Sequence, residues 1–467
     1  MSREKDLVKN TFVLSVGRFL PKLVSFVTLP ILTGKLTKSE MGNYDLITTL
    51  IMLVLPIATL QIQSAAFRFL IDTRKDKKKS TEIVTSIFGV TIPISFVVSC
   101  IIPIFFSSLS FPIRVLIGIY FFIDTIHLTV GQAVRGLGHN KYYSIASCLS
   151  SIINMTGIFV CVQVSDLGIL GVMIALVAAY ILSTIYLCVR VNLFNYIKFS
   201  AFSKETIKEL VAFSWPMVPN NLSNWVLKLS NRFIIRVFLG VEANAVFAVA
   251  NKVPNVLNIA QSIMVMAWQE NASIAVKDKD AKSYYSKMLD VCYSFMFGFT
   301  AILIAGTPII FRLLIRGDYD EAYNQIPILI LGTFFYTMSS YLGGIYIAHK
   351  KTVNVGISTV VAAVINLLID LLLINFIGIT ASSVSTLVAY AVLYYYRLVN
   401  VQEFQKVDCN IRKQILQLCI IIVMLIMCFA KMPILNVLNL VISIVVFIIF
   451  NKNIVDNVLK TVRKKLS

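Results

Sequence analysis

The sequence predicts an all-α polytopic membrane protein, and three observations predict it. Of its 467 residues, 58% are hydrophobic and 14% charged, against roughly half apolar and a quarter charged in a soluble domain, and the mean hydropathy is +0.82. Apolar runs of about 20 residues, the length that crosses a hydrocarbon core of about 30 Å, recur along nearly the whole chain. The polar segments between them carry their lysines and arginines on alternate loops, the pattern of a chain that threads back and forth.

Taken in order, the runs give fourteen expected spans, at 10–33, 41–66, 82–107, 111–133, 142–164, 167–190, 212–237, 243–268, 284–310, 323–347, 352–376, 379–400, 413–430 and 433–450. The polar start "MSREKDLVKN" leads into an apolar run with no small-residue cleavage site, so the first helix is expected to stay in the protein. Assigning loops alternately to two sides places roughly 30 basic residues on the side of the N-terminus and roughly 6 on the other. That side is expected to be the cytoplasm, with both termini inside. The net charge of +19 is then mostly this bias, which argues against nucleic acid as a partner and for the phospholipid bilayer.

Little in the chain supports soluble-type catalysis. The eight cysteines sit singly, without a C-x-x-C pair, and there are three histidines, so a disulfide framework, a metal centre or a Ser/His/Asp triad has little material. No enzyme activity and no cofactor are expected. The outer loops are short, the longest being "FRLLIRGDYDEAYNQ".

An internal repeat divides the chain. "GLGHNKYY", Asn154 and "DLGILG" in the first half are echoed by "AHKKTV", Asn366 and "FIGITA" in the second. Tyr180 and Tyr186 follow Gly168 at the same spacing with which Tyr390 and Tyr396 follow Gly378. Six spans per repeat give two lobes inserted the same way up. The expected organisation is an N-terminal lobe, 1–190; a cytoplasmic amphipathic linker, 191–211; a C-terminal lobe, 212–400; and two additional helices with a basic tail, 401–467.

The segments "LPILTGKLTKSEMGNYDL", "QSAAFRFL", "SWPMVPNNLSNWVLKLSNRFII" and "HKKTVNVGISTVVAAVINLL", in this order and spacing, resemble the bacterial oligosaccharide and polysaccharide repeat-unit flippases. These belong to the superfamily that also holds multidrug-extrusion antiporters and the peptidoglycan lipid flippase. The resemblance implies two six-helix lobes related by pseudo-two-fold symmetry around a central cavity. It also implies alternating access for an undecaprenyl-diphosphate-linked oligosaccharide in surface polysaccharide synthesis, alongside a polysaccharide polymerase and glycosyltransferases. A drug or cation antiporter, a peptidoglycan-precursor flippase and a membrane glycan polymerase are the competing readings.

Six basic residues stand out within the expected spans: Arg18, Lys22, Arg114, Lys228, Arg232 and Lys252. A cation at a helix centre costs roughly 2.5 to 3.5 kcal/mol on insertion scales, so a lipid-facing one at mid-depth demands a reason. Arg114, near a helix end, is expected to snorkel, and so is Arg236. Thr11, Ser15, Arg18, Lys22 and Ser25 recur at steps of four and three, making one polar seam on span one. On span seven, at about 100° per residue, Asn220, Asn224, Lys228, Asn231 and Arg232 share one face. A diphosphate is the natural complement of such cations, bound by arginine in a fork and by lysine as a point charge. Asn220, Asn224 and Asn231 suit sugar hydroxyls, or equally hydrogen bonds between helices. Alternatively the cations pair with Asp124 and Asp370.

Span four places Tyr120, Asp124, His127 and Gly131 on one face. An intramembrane Asp three residues from a His suggests coupling to a proton or cation, or else charge balance and packing. Asp370, with Asn366 one turn earlier, is a further candidate of this kind.

Overall fold

The structure, a computed structural model, describes residues 21, 23–276, 278, 280–452 and 456, with side chains described for these apart from 220, 263, 266, 267 and 270. The described chain is helical, and ten of its helices are long and apolar enough to cross a membrane. The protein is thus a multi-pass membrane protein. It divides into two compact units, Met1–Trp225 and Val226–Ser467.

Unit 1 contains α1 (Leu23–Lys35), α2 (Lys38–Ala58), α3 (Ile62–Thr73), α4 (Lys77–Ile101), α5 (Phe111–Gly136), α6 (Asn140–Ile158), α7 (Gly168–Val191) and α8 (Lys204–Ser214). Local chemistry sets the ends. Thr37 and Glu40 form a reciprocal capping box at the start of α2, which satisfies two otherwise orphaned amides. Glu40 also accepts from the Ile169 amide at 3.1 Å, so one carboxylate serves the starts of α2 and α7. The chain turns sharply between α2 and α3, with Leu60 and Gln61 at positive φ, and the run expected as one span over 41–66 is therefore two helices. α5 packs between α4 and α7, and α6 against α7. The 191–211 segment, expected as a linker on the membrane surface, forms two 3₁₀ turns and α8, which pack against α3 and α4.

The division falls inside α9 (Met217–Leu239), and hydrogen bonds show why. On its early half, Trp225 Nε1 donates to Thr49 O of α2 at 3.1 Å. On its later half, Leu227 O accepts from Asn366 Nδ2 at 3.2 Å.

Unit 2 continues with α10 (Val241–Ala250), α11 (Asn255–Ala275), α12 (Ala281–Leu314), α13 (Asp320–Ala348), α14 (Thr352–Ile377), α15 (Thr380–Asn400), α16 (Ile411–Phe429) and α17 (Pro433–Phe450). α13 is its centre, packed by α11, α12 and α15 and almost wholly enclosed, while α14 lies against α15. α16 and α17 pack on α12, where Asn451 Nδ2 donates to Ser294 O at 3.1 Å. The span expected over 243–268 is interrupted: residues 251–254 form a turn ending in Pro254, which has no amide to donate and starts α11.

Candidate functional site

Two constellations stand out, one in each unit. In unit 1, α5 carries Tyr120, Asp124 and His127 one turn apart on one face. Tyr180, on α7, stacks on Tyr120 with ring centroids 5.8 Å apart and planes within 7°, and its ring lies 5.0 Å from that of His127. The His127 Nδ1 is within hydrogen-bond distance of Thr184 Oγ1, at 2.9 Å, and of Ser183 Oγ, at 3.3 Å. Asp124 is half-buried and lies within electrostatic reach of both tyrosine phenols. Among the described residues it has no ion pair and accepts no hydrogen bond.

In unit 2, Lys228 and Arg232 of α9 project into a cavity of about 140 Å³. Asn251, Asn255 and Asn258 line it from the α10–α11 interruption and α11, with Tyr336 of α13 and Thr386 and Tyr390 of α15 on other walls. The Lys228 ammonium sits over the Tyr336 ring, 4.4 Å from its centroid, a cation–π contact that tolerates a lysine without an acid beside it. Tyr336 and Tyr390 pack with centroids 4.9 Å apart, and Arg232 is within electrostatic reach of the Tyr390 phenol. At about 30 Å³ per water, such a volume holds a phosphate-sized group with a few waters and is too small for an oligosaccharide.

The remaining site residues read from the sequence are placed as follows. Arg18, Lys22 and the side chain of Asn220 lie outside the described residues, as does most of the span-one seam. Asn224 is half-buried on α9. Lys252 sits half-buried on the turn between α10 and α11, not within a continuous span. Asn231 is a correction. Only 2% exposed, it donates from Nδ2 to Ser382 O at 2.8 Å and Thr386 Oγ1 at 3.0 Å, and its Oδ1 accepts from Asn366 Nδ2 at 2.9 Å. It ties α9 to α14 and α15 instead of facing a ligand, because the 100° step that sets it near Arg232 also turns it toward its neighbours.

Asp370 belongs to the same knot: fully buried, it accepts from Ser382 Oγ at 2.8 Å. Neither it nor Asp124 pairs with a cation among the described residues, which do not include Arg18 and Lys22. Arg114 lies near the start of α5 with its guanidinium 5.9 Å from the Phe111 ring, and Arg236 is in the last turn of α9.

Sequence reasoning missed Arg397. It is 5% exposed and bonds Ser358 Oγ at 2.9 Å, Ser339 O at 2.9 Å and Thr359 Oγ1 at 3.1 Å. It thereby joins α13, α14 and α15 through neutral acceptors alone. It also missed Tyr336 and the three asparagines. Tyr180 and Tyr390 were legible only as markers of the repeat.

The fold is the one seen in solved multi-pass transporters of the MOP superfamily. An inward-facing multidrug-resistance MATE-family transporter superposes with a TM-score of 0.72 at 11% identity, over 84% of this chain and 98% of that one. The lipid II flippase MurJ, in an inward closed conformation, matches at 0.72 and 13% identity, over 96% of this chain and all of that one. A MOP-superfamily transporter from Pyrococcus furiosus, described as having a binding pocket of reversed polarity, matches at 0.59 and 14% identity, over 85% and 95%. The polysaccharide biosynthesis protein family matches residues 7–270, more than half of the chain, and the protein belongs to that family. No curated protein matches it.

Proposed function

We propose that this protein is a flippase carrying undecaprenyl-diphosphate-linked oligosaccharide repeat units from the cytoplasmic to the outer leaflet of a bacterial inner membrane, by alternating access, for capsule, O-antigen or exopolysaccharide synthesis. Membership of the polysaccharide biosynthesis family supports the pathway. The observation that carries the substrate is the unit 2 cavity, where Lys228 and Arg232 converge among tyrosines and asparagines. A diphosphate supplies the anionic oxygens such a pocket lacks: Arg232 offers a planar fork, Lys228 a point charge held over Tyr336, and the asparagines neutral donors.

The size of the cavity fits the headgroup alone, leaving the sugars to bulk water and the prenyl tail to lipid. Transfer of the anion across the membrane also responds to the membrane potential, about 2.3 kcal/mol per charge per 100 mV, and Asp124 with His127 is the proposed place for a coupling proton or cation. Deleting the gene and analysing lipid-linked oligosaccharides tests the reading. The expected result is accumulation of one complete repeat unit on the cytoplasmic leaflet, restored to normal by the wild-type chain. An unchanged lipid pool sinks it.

One observation favours a second reading, export of cationic compounds: Asp124 stands among three aromatic side chains in unit 1, a setting that suits an organic cation. Raised drug susceptibility in the deletion strain, without lipid accumulation, is the outcome that reading requires.

A further inference from the structure

A second basic cavity lies at the start of α4, away from both constellations. The chain leaving α7 runs back along this end of α4 and is fixed there by its own backbone. Thr85 Oγ1 donates to Tyr196 O at 3.2 Å, Lys198 N donates to Thr85 Oγ1 at 3.0 Å, and Ser203 N donates to Ser86 Oγ at 3.1 Å. The Phe202 ring lies over Gly89, where a Cβ would come within 2.6 Å of it. Between the segment and the helix is a cavity of about 640 Å³, lined by Lys77, Lys78 and Lys198 with Thr81 and Ser200 among the polar residues. The one lining carboxylate, Glu82, is engaged as acceptor by Thr206 Oγ1. Among the described lining residues, three lysines outnumber the one acid.

Beside this cavity the same segment displays Phe199, 97% exposed, and Phe194, 69% exposed. Bare phenyl rings next to lysines are unfavourable in water. At a membrane surface they are the two halves of an interfacial anchor, apolar rings entering the acyl boundary and lysines meeting phosphate. The basic loop Arg74–Lys79 puts this end of α4 on the side that charge asymmetry assigns to the cytoplasm.

We propose that this cavity binds the phosphate headgroup of an anionic glycerophospholipid of the bilayer itself, with Phe199 and Phe194 seated among its acyl chains. The 191–203 segment is then a lipid-bound strap on unit 1. A free anion would use the lysines and leave the phenyl rings exposed; the lipid uses both.

The test is native mass spectrometry of the full-length protein in detergent, titrated with phosphatidylglycerol, phosphatidylcholine or inorganic phosphate. Phosphatidylglycerol is expected to bind in preference to phosphatidylcholine. Combining Lys77→Gln, Lys78→Gln and Lys198→Gln is expected to weaken it by about fivefold per lysine, and Phe199→Ser is expected to weaken it further. Lys208→Gln, an exposed lysine of α8 outside the cavity, should leave it within about twofold. Equal binding of the two lipids, an equal loss in Lys208→Gln, or indifference to Phe199→Ser with ready displacement by inorganic phosphate would each overturn the proposal, the last by making the site one for free anions.

Discussion

The two units place opposite charges on the same aromatic scaffold. In unit 1, Tyr180 stacks on Tyr120 beside an acid, Asp124; in unit 2, its counterpart in the repeat, Tyr390, packs on Tyr336 beside two cations, Lys228 and Arg232. A tyrosine supplies a ring that holds a cation and a hydroxyl that meets an anion. The repeat therefore keeps the surface and changes the charge. On the function proposed above, the cationic cluster is the place for cargo and the acidic one the place for a coupling ion, and the contrast between units separates the two.

Removing the cationic side should have the largest effect. Lys228→Gln with Arg232→Gln is expected to lower headgroup binding by more than a hundredfold, at on the order of 1.5 to 3 kcal/mol for each charge-assisted bond, while expression holds because neutral side chains are cheaper in lipid. Complementation of the deletion strain and binding of a diphosphate lipid measure this, and normal transport in the double variant would break the comparison. Arg232→Lys sharpens it, losing most function where the forked contact matters and keeping part where charge suffices.

Next comes the acidic side. Asp124→Asn or His127→Ala is expected to abolish the dependence of transport on an ion gradient in vesicles while lipid binding stays within a few fold. Gradient dependence unchanged in both variants would return these residues to packing. A smaller effect separates cavity from scaffold: Asn231→Leu, which removes one buried hydrogen bond each from Asn366 Nδ2, the Ser382 carbonyl and Thr386 Oγ1, should cost about 1 to 3 kcal/mol of stability while transport per folded molecule is nearly normal. A transport defect at full stability would restore Asn231 to the binding surface.

The smallest expected signal concerns orientation. Burial first, with Asp408 and Asp290 adding, pushes the Cys409 thiol up to about 11, so it carries little thiolate at neutral pH and reacts slowly. In a background with the eight native cysteines replaced, cysteines placed within Arg74–Ser80 should be shielded from an impermeant thiol reagent in intact cells, and one near Asp318 should react. The reverse pattern would invert the topology.

Helices were the most legible feature, because a run of about 20 apolar residues has few alternatives in a bilayer. The interruptions were not legible as such. Leu60 and Gln61 look like ordinary apolar and polar residues within a run, and only their positive φ reveals the turn. Charge was readable in kind and not in partner. Lys228 and Arg232 could be singled out by sequence, yet the tyrosines and asparagines that complete their cavity come from α10–α11, α13 and α15, and no single-helix pattern brings those together. Arg397 escaped because a cation in the last turn of a helix ordinarily reads as snorkelling, and only tertiary packing shows it pointing inward.

That inward arginine bears on how the protein is made. Every hydrogen-bond acceptor named for it, Ser339, Ser358 and Thr359, precedes it in the chain, so α13 and α14 have already been synthesised when α15 emerges. During co-translational insertion the guanidinium can pass from the translocation machinery onto waiting acceptors, without a stage of exposure to lipid. Exchanging the order of these helices in a permuted chain would deprive α15 of that reception, and the penalty would fall on membrane integration before it fell on transport.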